Sequence, residues 1–478
     1  MSDPVALHLR RQNGLPPARG ASSGPMGKRL LVNRWTWVFV VFTLLYAGCL
    51  LFQYQIITAP VKVEGGEVPG LNWSAVREAA KMAFPTLVFW MVVYVLYDRF
   101  RPQRPLFWWL ALGWGGAVAT AASIEINTWA AHEMQITGGG VDPSQGARAA
   151  IFVAPFVEEA TKASVLFLIA VAYRYRLVSK VSGIALAGLS AAGFAFTENI
   201  IYYARAIVYT SSTIGTGDPE QAVAKLVMLR GVWLAFGHPL FTTMTGIGVL
   251  VAVRTHSKLV RVLAPLVGYL CAAALHMAFN TAATFVQSEM QQYIIYFAFV
   301  LPLVLGVVFW IVRQLPVESR RLHDRLTDFV RMGWLSDADA YALSRERLRA
   351  RAALVSATHG WRALAATLRL QRAATELAYL RDAQVRGTVD AAGNGRAREL
   401  LDDIRAVRGE AVVDPRGMKL NLPDWRAWAD RIPVLRGRRT PAGALQPQPN
   451  PHATTPPVPV GSTPTYSPVD PRWGPPSP

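Results

Sequence analysis

The chain has 478 residues, 52% of them hydrophobic and only 17% charged, too apolar a balance for an ordinary soluble protein of this length. Two cysteines, Cys49 and Cys271, leave no material for a disulfide framework or a cysteine-built metal site. The formal net charge of +18 would suit a nucleic-acid partner or an anionic membrane surface, and its placement along the chain decides between them.

Residues 1–34 form a polar, basic tail, expected to be disordered and too long for a cleaved signal peptide, so the first apolar run reads as an uncleaved anchor. Eight apolar runs follow, at 35–56, 80–97, 105–126, 149–173, 181–209, 229–253, 261–287 and 292–313. All but the short second run are close to the ~20 residues that a ~30 Å hydrocarbon core requires. The segments between them alternate in charge. Arg99, Arg101 and Arg104 follow the second run, Arg174, Arg176 and Lys180 the fourth, and Arg254, Lys258 and Arg261 the sixth, whereas 127–148 carries Arg148 alone and Glu289 stands before the eighth. Basic segments on every second connection fit an even number of spans with both termini cytoplasmic. The expected fold is therefore all-α, a polytopic bundle of about eight transmembrane helices over 35–313. Most of the positive charge is topology, which leaves the lipid bilayer rather than nucleic acid as the surrounding partner.

Beyond the bundle, residues 314–412 have helix-favouring composition with apolar side chains at three- and four-residue spacing, and read as a cytoplasmic helical region. Ser336 and Asp337 are expected to cap a helix there. Residues 413–478 read as a Pro-rich, mostly disordered tail, with thirteen prolines among the last thirty-eight residues.

Charged side chains within the apolar runs need a reason, because each costs about 2.5–3.5 kcal/mol at the centre of a span. The fourth run has Glu158, Glu159 and Lys162, within FVEEATKA. The fifth has Glu198 and Asn199, the sixth His238, and the seventh His276 and Asn280. Counted from the cytoplasmic ends, Glu158, Glu198, His238 and His276 lie about 15–17 residues in, which is roughly 22–26 Å at ~1.5 Å per residue. Four successive helices thus deliver polar groups to one level, where they can converge. Glu158 and Lys162 are four apart and share a helix face, as do His276 and Asn280. Pro155 and Pro239 each remove a backbone hydrogen bond beside these residues. His132-Glu133 begins like a zinc-protease HExxH motif, but Ile136 stands where the second histidine would be, so it is set aside. Ion-pair knots and interhelical hydrogen bonds also account for such residues one at a time. A shared depth is what favours a site.

The ordered set EExxK at 158–162, FxxxEN at 194–199, GHP around His238 and HxxxN at 276–280 resembles the PrsW family of intramembrane proteases, related to the CAAX-processing endoproteases. The resemblance covers about residues 149–287. It implies an intramembrane peptidase, of glutamate type or a metalloprotease, acting on membrane-anchored proteins such as anti-sigma factors in a bacterial plasma membrane. The candidate catalytic residues are Glu158, Glu159, Glu198, His238, His276 and Asn280. Glu158 is the candidate general base, with Glu159 and Glu198 assisting and Lys162 restraining their charge. His276 and Asn280 are candidate oxyanion donors, and His238 could orient water or bind metal. Two histidines with a glutamate also satisfy a catalytic zinc (Zn) site, but no helix carries two histidines, so spacing leaves the metal open. A proton- or ion-coupled transporter and an inactive membrane scaffold remain alternatives, the first because buried acids and histidines also mark proton paths.

Overall fold

The computed structural model describes Arg10, Leu15 and residues 31–63, 66–98, 105–133, 149–173, 177, 179–212, 218–285, 288–390 and 392–421. The N-terminal tail expected at 1–34 and the Pro-rich tail expected at 413–478 lie almost wholly outside these residues.

The first part of the chain is built from α1 (Arg34–Thr58), a small ribbon of β1 (Val61–Val63) and β2 (Gly66–Val68), and α2 (Trp73–Tyr97). The ribbon is antiparallel, with Val61 opposite Val68. Next come α3 (Pro105–Gly113), a π-helical turn (Trp114–Ala119), α4 (Thr120–Glu133), α5 (Ala154–Ala172) and α6 (Lys180–Ser212). Then α7 (Pro219–Met228), a second π-helical turn (Leu229–Trp233), α8 (Gly237–Val253) and α9 (Lys258–Phe285) follow. Finally α10 (Glu289–Ile295) and a third π-helical turn (Tyr296–Val300) lead into α11 (Leu301–Arg331). Among the described residues, seven helical stretches are long and apolar enough to cross a membrane: Arg34–Thr58, Trp73–Tyr97, Pro105–Ala130, Lys180–Val208, Glu220–Val253, Lys258–Ala283 and Tyr293–Arg331. The remaining expected span is helical too, as α5, and its three charged side chains set it apart from the apolar seven. The all-α bundle is as expected, the short ribbon being a local addition.

Small residues determine how the helices meet. Every residue of α6 from 181 to 194 is buried, and the helix packs against α2, α3, α5, α7 and α8. A Cβ added at Gly193 would lie 2.0 Å from the Leu112 carbonyl oxygen, and one at Gly246 of α8 would lie 2.8 Å from the Ala187 Cβ. These are backbone-to-backbone crossings of the kind that only small residues permit. The four-residue stripe of Gly183 and Ala187 faces α8, where Leu250 fills the space above Gly183. Replacing Gly193 by Ala should therefore destabilise the bundle by about 1–3 kcal/mol through overpacking. Thermal unfolding in detergent measures this, and an unchanged midpoint would mean that α3 and α6 are less close than described.

The first two irregular turns have freed carbonyls answered. In the first π-helical turn, Gln53 Nε2 donates to Ala117 O (2.7 Å) and Thr197 Oγ1 to Gly116 O (2.8 Å). At the second, Thr86 Oγ1 donates to Gly231 O (2.8 Å) and Trp90 Nε1 to Ala235 O (3.0 Å). A helix can break at membrane depth only where such partners exist. The break at 234–236 is thus a built feature, immediately before His238.

The chain divides into two compact units, Met1–Glu318 with Tyr379–Ala397, and Ser319–Ala378 with Arg398–Pro478. In the first unit, the loop joining α8 to α9 is held by residues from the later segment. Arg254 and Arg386 both donate to Asp382 Oδ2 (3.1 and 3.0 Å), and His256 Nε2 donates to the Arg386 carbonyl (2.8 Å). The second unit contains α12 (Asp337–Ser344), α13 (Glu346–Thr358) and parts of α14 (Trp361–Val385) and α15 (Ala392–Arg408). Ser336 caps α12 as expected, with Asp339 rather than Asp337 completing a reciprocal capping box.

Candidate active site

α5, α6, α8 and α9 bring their polar side chains to one cluster. α5 begins with Ala154-Pro155, where the missing proline N–H falls in the first turn and interrupts nothing, so Pro155 starts this helix rather than bending it. Pro239, the third residue of α8, also falls within a first turn, where its missing N–H interrupts nothing. The distortion near His238 comes instead from the π-helical turn and the break at 234–236.

Lys162 is the centre of the cluster. It has no solvent exposure, and its Nζ lies 2.9 Å from Glu159 Oε1, 3.3 Å from Glu158 Oε2 and 2.8 Å from His238 Nδ1. The Phe194 ring centroid is 4.0 Å away. A lysine ammonium only donates, so His238 Nδ1 accepts and the ring proton is on Nε2. That Nε2–H donates to Glu198 Oε2 at 2.7 Å. Both nitrogens of His238 are therefore engaged.

Glu159 is fully buried and saturated. Its Oε1 accepts from Lys162 and from His276 Nδ1 (3.1 Å), and its Oε2 accepts from Thr242 Oγ1 (2.6 Å). Because Glu159 takes the Nδ1–H of His276, the lone pair of that ring is on Nε2. His276 Nε2 faces Glu158 Oε2 across 3.9 Å, and the Phe241 ring stacks on the imidazole at 5.2 Å. Among the described residues Glu158 is the least tied of the three carboxylates, accepting one hydrogen bond, from Lys162 on Oε2. The two histidine rings meet edge-on with centroids 5.1 Å apart.

The convergence expected from depth is thus present for Glu158, Glu159, Lys162, Glu198, His238 and His276. Asn280 is directed elsewhere, its amide donating to Ala150 O at 2.8 Å, five residues before Pro155. Two participants have no counterpart in the sequence reading. Thr242 is one turn beyond His238 on α8, and its hydroxyl gave no signal among the small polar residues of that helix. Arg230, in the second π-helical turn, donates from Nη2 to Glu198 Oε2 and from Nε to Asn199 Oδ1, both at 2.9 Å. Its guanidinium also covers the Tyr202 ring at 3.9 Å. A lone arginine at the edge of an apolar run was the available signal.

Residues 103–307 match the family model described as PrsW family intramembrane metalloprotease. Over this stretch the chain is similar to the PrsW family. The match takes in all four helices of the cluster and supports an intramembrane peptidase, set among helices long and apolar enough to cross a membrane. No curated protein and no solved structure matches the chain.

The PrsW description names a metalloprotease, and a metal centre needs a set of ligand atoms. Glu158, His238 and His276 each offer a ligand atom within 4.8 Å of the others, and in type they match the two imidazoles and one carboxylate of a catalytic zinc site. Glu159 behind His276 Nδ1 is also the carboxylate partner that such ligands usually have. The arrangement itself does not fit a bound ion. The ammonium of Lys162 takes the Nδ1 lone pair of His238 and lies against Glu158, so a cation already faces two of the three donors.

Proposed function

We propose that the PrsW-family bundle hydrolyses peptide bonds of membrane-anchored proteins with Glu158 as general base. The observation that carries this reading is the open gap between Glu158 Oε2 and His276 Nε2. At 3.9 Å it is too long for a direct hydrogen bond, and one water can accept or donate to both at ~2.8 Å. Glu159 holds the His276 ring so that its lone pair points into that gap. Glu158 takes a proton from the water as the water oxygen bonds to the scissile carbonyl carbon. The C–N bond then breaks, and Glu158 returns the proton to the leaving amine. Lys162 is a fixed positive charge close to the developing oxyanion and needs no reorganisation as that charge forms. Asn280 has a supporting part, holding the chain before α5 through Ala150 rather than serving as oxyanion donor.

The alternating basic segments support an orientation with both termini cytoplasmic, in a bacterial plasma membrane. The cluster is then in the outer half of the bilayer. Regulators with a single span and an outer juxtamembrane segment, such as anti-sigma factors, are substrates of the right form.

The experiment is reconstitution of the full chain in liposomes with a single-span reporter protein, with and without a strong chelator. Cleavage that survives chelation is expected, because Lys162 supplies the cation the site needs. Activity abolished by chelation and restored by zinc would show that Lys162 yields its place to an ion. Proton or ion flux without cleavage would replace the peptidase reading by the transporter.

A further inference from the structure

We infer that Arg230 is a positioning residue of this site, fixing Glu198 so that Glu198 in turn orients the His238 ring. The inference rests on the peptidase reading above. Residues eight apart on an uninterrupted α-helix are about 12 Å apart along the axis and about 80° apart around it. Arg230 and His238 nevertheless meet on one atom, Glu198 Oε2, at 2.9 and 2.7 Å. The π-helical turn and the break at 234–236 bring them together, which gives this costly distortion a purpose. The grip is two-pronged, since Nε holds Asn199 while Nη2 holds Glu198, and Tyr202 supports the guanidinium plane from below. A lysine would have to make both contacts from a single nitrogen and has no flat face to lay on Tyr202.

Charge gives a second reason. Glu158, Glu159 and Glu198 face the two cations Lys162 and Arg230 through short contacts. With both imidazoles neutral, one negative charge is left over, which suits a site that keeps a single free base at Glu158. Without Arg230, Glu198 would draw on Lys162 and His238, and the His238 ring would lose its fixed orientation.

The test compares wild type with R230Q, R230K, E198Q and the R230Q/E198Q double variant, all as full chains in liposomes with the single-span reporter. A misplacement of about 1 Å costs about 100-fold in rate, so R230Q should lower kcat by roughly that factor with KM within about twofold. R230K should recover about a tenth of wild-type kcat, and the double variant should be no worse than the poorer single one. Thermal midpoints report folding separately, and R230K carries the same readouts if R230Q does not fold. A readout independent of cleavage is the histidine-selective 15N spectrum, with the His238 signal assigned from its loss in H238N. R230Q and E198Q should both shift that signal. A KM rise at constant kcat, additive losses, or a His238 signal unmoved by R230Q would each overturn the inference. A wild type that cleaves nothing, with the spectral shift intact, would sink the peptidase reading instead.

Discussion

Replacing Glu158 by Gln should abolish cleavage, with a fall of about 10²–10⁴-fold, the usual worth of a positioned general base. The change keeps side-chain size and an acceptor for Lys162, and it removes the carboxylate's charge and with it the ability to accept the water's proton. Because Glu158 is the least tied carboxylate of the cluster, the folded state has little to lose. The thermal midpoint should move by less than that of any comparable change at Glu159, which has donors on both oxygens. Single-turnover cleavage in liposomes together with thermal unfolding separates the two effects. An active E158Q would remove the base from the mechanism.

The second large effect is at Lys162. Substitution by Met leaves Glu159 fully buried without its cation, and breaking a buried ion pair from one side typically costs about 3–5 kcal/mol. K162M should lose folded yield as well as activity. The double variant E159Q/K162M, in which neither charge remains, should regain much of the stability and none of the cleavage. Thermal unfolding of the three variants reads the first outcome and the reporter assay the second. If K162M were as stable as wild type, Lys162 would not be the keystone of the cluster.

Much of this architecture was legible in the order of residues. Hydropathy marks the helices, and the cost of charge in hydrocarbon singles out Glu158, Glu159, Lys162, Glu198, His238 and His276. Counting residues from one face then places them at one depth, and side-chain contacts of 2.7–3.3 Å among them agree. Direction around the axis is harder to read. Asn280 shares a helix face with His276, yet its amide reaches Ala150, since a four-residue offset also moves it about 6 Å along the axis, beyond the cluster. Arg230 was hidden for a different reason. The periodic rule that ranks positions on a helix fails across a π-helical turn and a break, and no local pattern announces either. The hold of Asp382 and Arg386 on the α8–α9 loop links residues some 128–130 positions apart, which composition at either end does not encode.

That long-range tie has a consequence for how the protein is made. The α8–α9 hairpin carries both histidines, and its connecting loop acquires Asp382 only after the ribosome has added more than a hundred further residues. At ~5–20 residues per second the delay is on the order of ten seconds. For that interval every group of the proposed site has already been synthesised while the hairpin turn lacks its fastening. A nascent or prematurely terminated chain ending soon after residue 314 would bear the whole constellation on an unsecured frame.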